Sequence, residues 1–246
     1  SGFFSASDPK IPLNVNEKER GKMSESKILK GSKNYLHNSA GGNARTKKTS
    51  LLSIRAMVAI ALLSALATVL MLFEVPLWFV PSFYELDFSE VPVLIGAFAL
   101  GPVAGILIEL IKILLNLLFN GTDTAFIGEL ANFLLGCSLV VPSAAVYARY
   151  KNRKSAIAGM VIGTICFVIV GSFLNAFVLL PVYSKMFIPL DLIIAEGTKV
   201  NKYITNMSSF IFLGVVPFNL IKGIAVSLIT TLLYKYVSPV IKGYNN

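Results

Sequence analysis

Two polar side chains, Asn219 and Lys222, lie in an apolar stretch near the end of this 246-residue chain. Their spacing of three residues places both on one face of a helix, so the two side chains approach the same point. An amide donates and accepts hydrogen bonds, and a lysine brings three donors and a positive charge. The stretch has no acid to neutralise Lys222, so its partner is another helix, a ligand or water in a cavity. We favour contact with a polar ligand.

Three further polar residues, Asn175, Glu129 and Asn132, also interrupt apolar stretches. The Asn175 amide can bridge two helices or hydrogen-bond to the edge of a heteroaromatic ligand, and the sequence leaves both readings open. Glu129 and Asn132 are three residues apart and therefore share a helix face. They either form hydrogen bonds inside a helix bundle or belong to the same ligand site.

Glu109 and Lys112 form a second acid–base combination at a spacing of three. An ionisable side chain at the centre of a bilayer costs about 2.5–3.5 kcal/mol on insertion scales, and such residues usually pair with each other. This spacing therefore favours an internal ion pair that packs against other helices.

The residue inventory argues against enzymatic chemistry and against a metal site. His37 is the single histidine, and it lies in a polar segment. Cys137 and Cys166 both lie in apolar stretches, where free cysteine is a small buried residue. An intramembrane protease would need a Ser–Lys or acid dyad or metal ligands, and Glu109 and Glu129 are on separate helices. We expect no catalytic residue, no bound metal and no cofactor.

Six apolar runs position these residues. The chain is 55% hydrophobic and only 14% charged, whereas soluble domains carry about 25% charged residues. A run of about 20 apolar residues crosses the hydrocarbon core of a bilayer. We predict an all-α membrane protein in which residues 51–240 form a bundle of six transmembrane helices, with spans at 51–73, 91–100, 103–119, 124–147, 155–182 and 209–236.

Charge sets the orientation of the bundle. Basic clusters at 47–55, 149–154 and 235–242 fall on one side of the membrane only if there are six spans. The acidic loop at 74–90 then lies outside, and both termini lie in the cytoplasm. Residues 1–50 hold nearly half of the lysines and arginines. We predict that this basic tail is largely disordered and that the positive charge does not indicate nucleic-acid binding.

The loop after the first run combines prolines with aromatic residues. Trp78, Phe79, Tyr84 and Leu86 provide apolar surface that can cover a cavity between the helices. Tryptophan and tyrosine also gather at membrane interfaces. The acids of this loop would not help an interfacial anchor, so we favour a cover for the polar pocket.

Three segments of the chain resemble one family of membrane proteins. Residues 86–92 (LDFSEVP), 96–105 (GAFALGPVAG) and 109–112 (ELIK) are similar to the S components of energy-coupling factor (ECF) transporters, and the riboflavin-specific members are the most alike. The resemblance extends over about residues 51–240. It leaves the tail unexplained, and the longer loop at 185–208 departs from the pattern.

The resemblance implies a vitamin-capturing subunit in the cell membrane. Asn175, Asn219 and Lys222 look like the residues that contact riboflavin, and Ala61 and Ala65 resemble the small-residue motif that docks on a transmembrane coupling subunit. Two further subunits would bind and hydrolyse ATP, which agrees with the lack of a G-x-x-x-x-G-K-[ST] phosphate loop in this sequence.

Two alternatives remain open at this point. The first is an S component for another vitamin, such as thiamin, pantothenate or folate. The second is a facilitator that works alone, without ATP. In each case we expect a pocket lined by an uncompensated lysine, Lys222, and by two carboxamides.

Overall fold

The computed structural model describes residues 51, 53–81, 84–122 and 124–243, and the predicted basic tail at 1–50 lies outside them. The described part is almost entirely helical. Five helical segments are long and apolar enough to cross a membrane: Ile54–Met71, Pro102–Asn120, Ile127–Tyr150, Arg153–Met186 and Met207–Tyr234. The predicted helical content is therefore confirmed, and these five segments are candidate membrane spans by length and composition.

Three of the long helices are uninterrupted: α1 (Ile54–Met71), α3 (Pro102–Asn120) and α4 (Ile127–Tyr150). Their outer faces carry large exposed apolar side chains, such as Ile54, Leu118 and Leu130. Apolar surface of this extent is unfavourable in water but matches lipid.

Between α1 and α3 lies the short helix α2 (Glu90–Leu100), which occupies the second predicted span. Its eleven residues rise only about 16 Å at 1.5 Å per residue. Eight of them are buried, and α2 packs against α1, α3, α4 and the last helix of the chain. Gly101, with φ of 101°, then turns the chain directly into α3.

The last two long segments each contain a π-helical turn. In the first, α5 (Arg153–Leu174) continues through the turn Asn175–Leu179 into α6 (Leu180–Met186). In the second, α8 (Met207–Phe210) continues through Ile211–Val215 into α9 (Val216–Gly243).

Both turns end two residues before a proline, Pro181 or Pro217. Proline has no N–H and clashes with the carbonyl four residues earlier. The last bond of each turn instead spans five residues, from Leu180 N to Asn175 O and from Val216 N to Ile211 O. The widened turns absorb the prolines without breaking either segment.

Small residues bring α4 and α5 into close contact. A Cβ atom added to Gly159 would lie 2.5 Å from the Ser143 carbonyl oxygen, and one added to Gly163 would lie 2.2 Å from Ser143 Oγ. Ser143 Oγ also donates a hydrogen bond to Gly159 O at 3.1 Å. Close backbone approach of this kind replaces the hydrophobic drive that lipid does not provide.

A second, smaller apolar cluster lies outside the main core. Strands β1 (Val75–Pro76) and β2 (Glu85–Leu86) pair antiparallel after α1. The helix α7 (Leu190–Val200) follows α6 and contributes Ile193 to a cluster with Leu180, Ile204, Phe210 and Val215. The region at 185–208, which the sequence predicted to be a long loop, thus contains the helix α7 and is packed through its own apolar side chains.

Candidate functional site

A cavity of about 540 Å³ opens between the β-hairpin, α4, the π-turn of α5, α6, α7 and α9. Pockets of about 300–1,000 Å³ are typical of small-molecule sites. Most of the lining is apolar or aromatic, and the polar groups converge from separate elements. The lining residues are Glu74, Tyr84, Glu85, Asp87, Thr124, Gly128, Ala131, Asn132, Leu135, Phe167, Asn175, Leu179, Leu180, Tyr183, Phe187, Ile188, Ile193, Phe218, Asn219 and Lys222.

Asn219 and Lys222 reach this cavity together from α9. Both are buried, and both line its wall. Asn219 Nδ2 has no hydrogen-bond partner among the described residues. A Cβ atom added to Gly171 would lie 2.4 Å from that nitrogen, so the glycine on α5 leaves room for the amide. A buried amide donor without a partner costs about 1–3 kcal/mol, which a ligand acceptor would offset.

Lys222 is not uncompensated, and this corrects the sequence interpretation. Its Nζ donates to Asp87 Oδ2 at 2.6 Å, and both side chains are buried. Asp87 follows β2 and lies 135 residues from Lys222 in the sequence. Helix-spacing arguments compare only residues a few positions apart, so they could not identify this partner. Although burial favours the neutral acid, the charges of Lys222 and Lys112 hold the pKa of Asp87 well below its usual range.

Asn175 begins the π-turn that follows α5, and it also lines the cavity. Its Nδ2 donates to Gly171 O at 2.8 Å, and its Oδ1 accepts from the hydroxyl of Tyr84. Tyr84 in turn lies against Phe218, with ring centroids 5.2 Å apart. Asn175 thus both bridges elements and faces the cavity, so the two roles left open by the sequence are compatible.

Glu129 and Asn132 lie near the start of α4, but they differ in position. Asn132 lines the cavity, whereas Glu129 is not among the lining residues. The Glu129 carboxylate instead accepts a hydrogen bond from Thr124 Oγ1 at 3.0 Å, and Thr124 does line the cavity. Glu129 therefore contacts a residue that lines the cavity but does not line the cavity itself.

The predicted cover is divided in the same way. Tyr84 faces the cavity, but Trp78, Phe79 and Leu86 are not among the residues that line it. Trp78 is 90% exposed and packs edge-on against Phe79, with centroids 5.7 Å apart. Leu86 is buried. The exposed ring suits a membrane interface better than a pocket wall.

Comparison with known proteins places this geometry in a family. The family model described as "ECF transporter, substrate-specific component" matches residues 55–234. This chain belongs to the S components of ECF transporters. The resemblance deduced from residues 86–112 is therefore confirmed.

Several relatives of this S component carry a functional name. The riboflavin transporter RibU of Staphylococcus aureus is 40% identical over 196 residues, which is 80% of this chain and 97% of the relative. The riboflavin transporter FmnP of Bacillus subtilis is 29% identical and covers 76% of this chain and 94% of its own length. A solved structure described as the S component of a bacterial ECF transporter is 39% identical, with a TM-score of 0.59, and covers 76% of this chain and 96% of that one.

Behind the cavity, this S component holds a second charged cluster around Lys112. Lys112 Nζ lies 2.7 Å from Glu109 Oε1, which confirms the predicted pair, and 3.1 Å from both Glu90 Oε1 and Ser89 Oγ. All four residues are buried. A Cβ atom added to Gly136 on α4 would lie 2.2 Å from the Glu109 carboxylate, so a glycine again makes room for a polar group.

Sequence reasoning missed the acids of the S component's hairpin. Glu74, Glu85 and Asp87 all line the cavity. Partial burial, together with a hydrogen bond and repulsion from Glu85, raises the pKa of Glu74 to about 7. The run of acids between 74 and 90 was a usable signal, but its members could not be assigned to a pocket without the strand pairing of Pro76 with Glu85.

The predicted docking pair, Ala61 and Ala65, lies on the exposed side of α1. Large apolar residues on the same helix, such as Val58 and Leu62, are exposed as well. The arrangement leaves a shallow strip of small side chains open to a neighbouring helix.

Proposed function

We propose that this S component captures riboflavin from outside the cell for import. The observation that carries the proposal is the cavity wall on α9, which Asn219 and Lys222 line together and where Asn219 Nδ2 has no hydrogen-bond partner among the described residues. The names of the relatives favour the same ligand. Asn175, Asn132 and Tyr84 complete the polar set in this proposal.

The chemistry of riboflavin suits this wall. Its three fused rings require an apolar slot, and the aromatic side chains of Tyr84, Phe167 and Phe218 line the cavity. The pyrimidine edge of the ring system presents both carbonyl acceptors and an N–H donor. Amides match such an edge because they donate and accept, and Lys222 adds a charged donor for a ring carbonyl or a ribityl hydroxyl.

The proposal includes six membrane crossings with both termini in the cytoplasm. Five described segments are long enough to cross, and α2 would be a short sixth element enclosed by the others. The basic residues around the junction of α4 and α5, from Arg149 to Lys154, support this orientation because positively charged loops and helix ends remain in the cytoplasm. Membership of a transporter family supports a place in the cell membrane.

Import would depend on partners. We infer that a transmembrane coupling subunit docks on Ala61 and Ala65, and that two ATP-binding subunits supply the energy, so that this chain needs no cofactor. Ala61→Trp or Ala65→Trp should abolish co-purification with the coupling subunit and leave riboflavin affinity unchanged. Leu228→Trp, on the exposed face of α9, is the matched control. Uptake that persists without the coupling subunit would favour a solitary facilitator instead.

The test of the ligand is direct. The protein is purified in detergent, and its visible absorption spectrum is examined for bound flavin. The ligand-free protein is then titrated with riboflavin, with flavin fluorescence quenching as the readout. Thiamin, pantothenate and folate serve as competitors. We expect riboflavin fluorescence to be quenched and none of the three competitors to reverse the quenching. A competitor that binds tightly, and so restores the fluorescence, would assign this S component to another vitamin.

A further inference from the structure

Lys112 does not line the cavity, yet a chain of three contacts joins it to Lys222. Lys112 Nζ donates to Ser89 Oγ at 3.1 Å. The backbone N–H of Ser89 donates to Asp87 Oδ1 at 2.8 Å. The other carboxylate oxygen, Asp87 Oδ2, accepts from Lys222 Nζ at 2.6 Å. The interior charge and the cavity charge therefore share one short segment, residues 87–89.

This segment is also held by Phe88, which packs against the main core and whose carbonyl accepts from Val91 N at 3.0 Å. It links the two-residue strand β2 to the start of α2, and the Ser89 side chain does not cap that helix. The Ser89 hydroxyl is instead engaged by Lys112 and by Glu90 Oε2, at 3.0 Å. Since Ser89 N–H aims the Asp87 carboxylate, the place of Ser89 determines where Lys222 is held.

Lys112 is well suited to fix that place. It is fully buried, on the uninterrupted helix α3, and it is also paired with Glu90 and Glu109. A charge with several fixed partners inside a low-dielectric core has few alternative positions. Asp87 also feels this charge directly, because Lys112 helps to keep its carboxylate ionised.

We propose that Lys112 is a positioning residue of the ligand site: through Ser89 and Asp87 it holds the Lys222 ammonium at the cavity wall. The role rests on the proposed function, since it is expressed as affinity for riboflavin. Neither Lys112 nor Glu109 would touch the ligand. Removal of these interior charges should nevertheless weaken riboflavin binding, because it allows Lys222 to shift. In a variant that lacks Lys222, the same removal should have no effect on binding.

A double-mutant cycle tests this dependence. The first variant, Glu90→Gln/Glu109→Gln/Lys112→Met, removes the interior charges together and leaves none of them unpaired. It is combined with Lys222→Met, and riboflavin Kd is measured for all four proteins. We expect the interior change to weaken binding about tenfold in the wild-type background, a coupling typical of residues in one network. In the Lys222→Met background the same change should alter Kd by less than about twofold.

Equal loss of affinity in both backgrounds, or no loss in either, would overturn the positioning role. Should the triple variant fail to fold, Ser89→Ala, which removes only the hydroxyl link, enters the cycle in its place. Ser143→Ala is the control: it removes a buried hydrogen bond between α4 and α5, so it should lower the melting temperature and leave Kd unchanged. Wild-type protein that does not bind riboflavin at all would instead overturn the proposed function, and this role with it.

Discussion

Lys112 and Lys222 are both buried lysines that contact carboxylates, but their surroundings differ. Lys112 is 0% exposed and lies within 3.1 Å of acceptor atoms on Ser89, Glu90 and Glu109. Lys222 is 7% exposed, lines the cavity, and among the described residues has a single protein acceptor, the Asp87 carboxylate. An ammonium has three N–H donors. Those of Lys112 are therefore used within the fold, whereas Lys222 retains donors for a ligand.

Under the proposed function, the comparison separates a structural charge from a ligand-binding one inside an apolar bundle. Burial and an opposite charge are common to both lysines and do not distinguish them. The distinction lies in the number of acceptors and in the presence of empty space beside the ammonium. Asn219 fits the same rule, because its Nδ2 has no partner in the described part of the chain and its residue lines the cavity.

The largest expected effect is the loss of stability in Lys112→Met. The change leaves Glu90 and Glu109 buried without their cation, and breaking a buried pair in this way typically costs about 3–5 kcal/mol. Thermal unfolding in detergent should show a large drop in melting temperature. The triple variant Glu90→Gln/Glu109→Gln/Lys112→Met should recover much of it. A melting temperature that does not change in Lys112→Met would contradict a structural role for Lys112.

Lys222→Met should have the opposite profile, with a large effect on binding and a smaller one on folding. Hydrogen bonds to charged groups contribute about 1.5–3 kcal/mol, so riboflavin Kd should rise about 10- to 100-fold. Titration by fluorescence quenching measures this change. In Lys222→Met/Asp87→Asn the unpaired carboxylate is removed, so stability should return while affinity stays low. Recovery of affinity in the double variant would mean that Lys222 acts only through Asp87.

Asn219→Ala extends the comparison to a neutral group, and its effect should be smaller. A neutral hydrogen bond contributes about 0.5–1.5 kcal/mol, which corresponds to a rise in riboflavin Kd of about two- to tenfold. The melting temperature should fall little, because the Asn219 amide nitrogen has no partner to lose in the part of the chain that the structure describes. Asn116→Ala, on α3 and away from the cavity lining, is the matched control, and it should leave Kd unchanged. Equal Kd values for the two variants would contradict a ligand contact at Asn219.

The sequence was sufficient for the six apolar helices and for the face of α9 that carries Asn219 and Lys222, because both depend on local spacing, but not for α7 or the β-hairpin. The six apolar runs correspond to described helices, and Asn219 and Lys222 do point to one place. Among the six predicted spans the exception is α2, whose eleven residues are enclosed by neighbouring helices. Its length is explained by packing, which no local pattern records.

Long-range partners were beyond the reach of spacing arguments. Asp87 and Lys222 are 135 residues apart, and Tyr84 and Asn175 are 91 apart. The Glu109–Lys112 pair was predictable because both residues lie on one helix, but Glu90, on α2, was not. The π-turn before Pro181 also places Asn175, and no local sequence pattern distinguishes such a turn from a kink.

The smallest expected effect concerns Glu74, which responds to one lysine and not to the other. Partial burial and the proximity of Glu85 raise the pKa of Glu74 to about 7, and the charge of Lys222 opposes the rise. An acid whose pKa is higher in the folded state favours folding when protonated, so its contribution is present below about pH 4.5 and is lost as pH rises to about 7. The side chain is exposed and screened, which limits the effect to below about 1 kcal/mol.

Melting temperature measured between about pH 5 and pH 8 should therefore show a shallow decline that Glu74→Gln abolishes. In Lys222→Met the midpoint of that decline should move to higher pH, because the opposing charge is gone. Neutralising the interior cluster around Lys112 should leave the midpoint in place, since Glu74 lies beside the cavity lysine only. If the midpoint moved equally when either lysine charge was removed, both charges would act on Glu74 to the same extent. The distinction between Lys112 and Lys222 would then not hold at the hairpin.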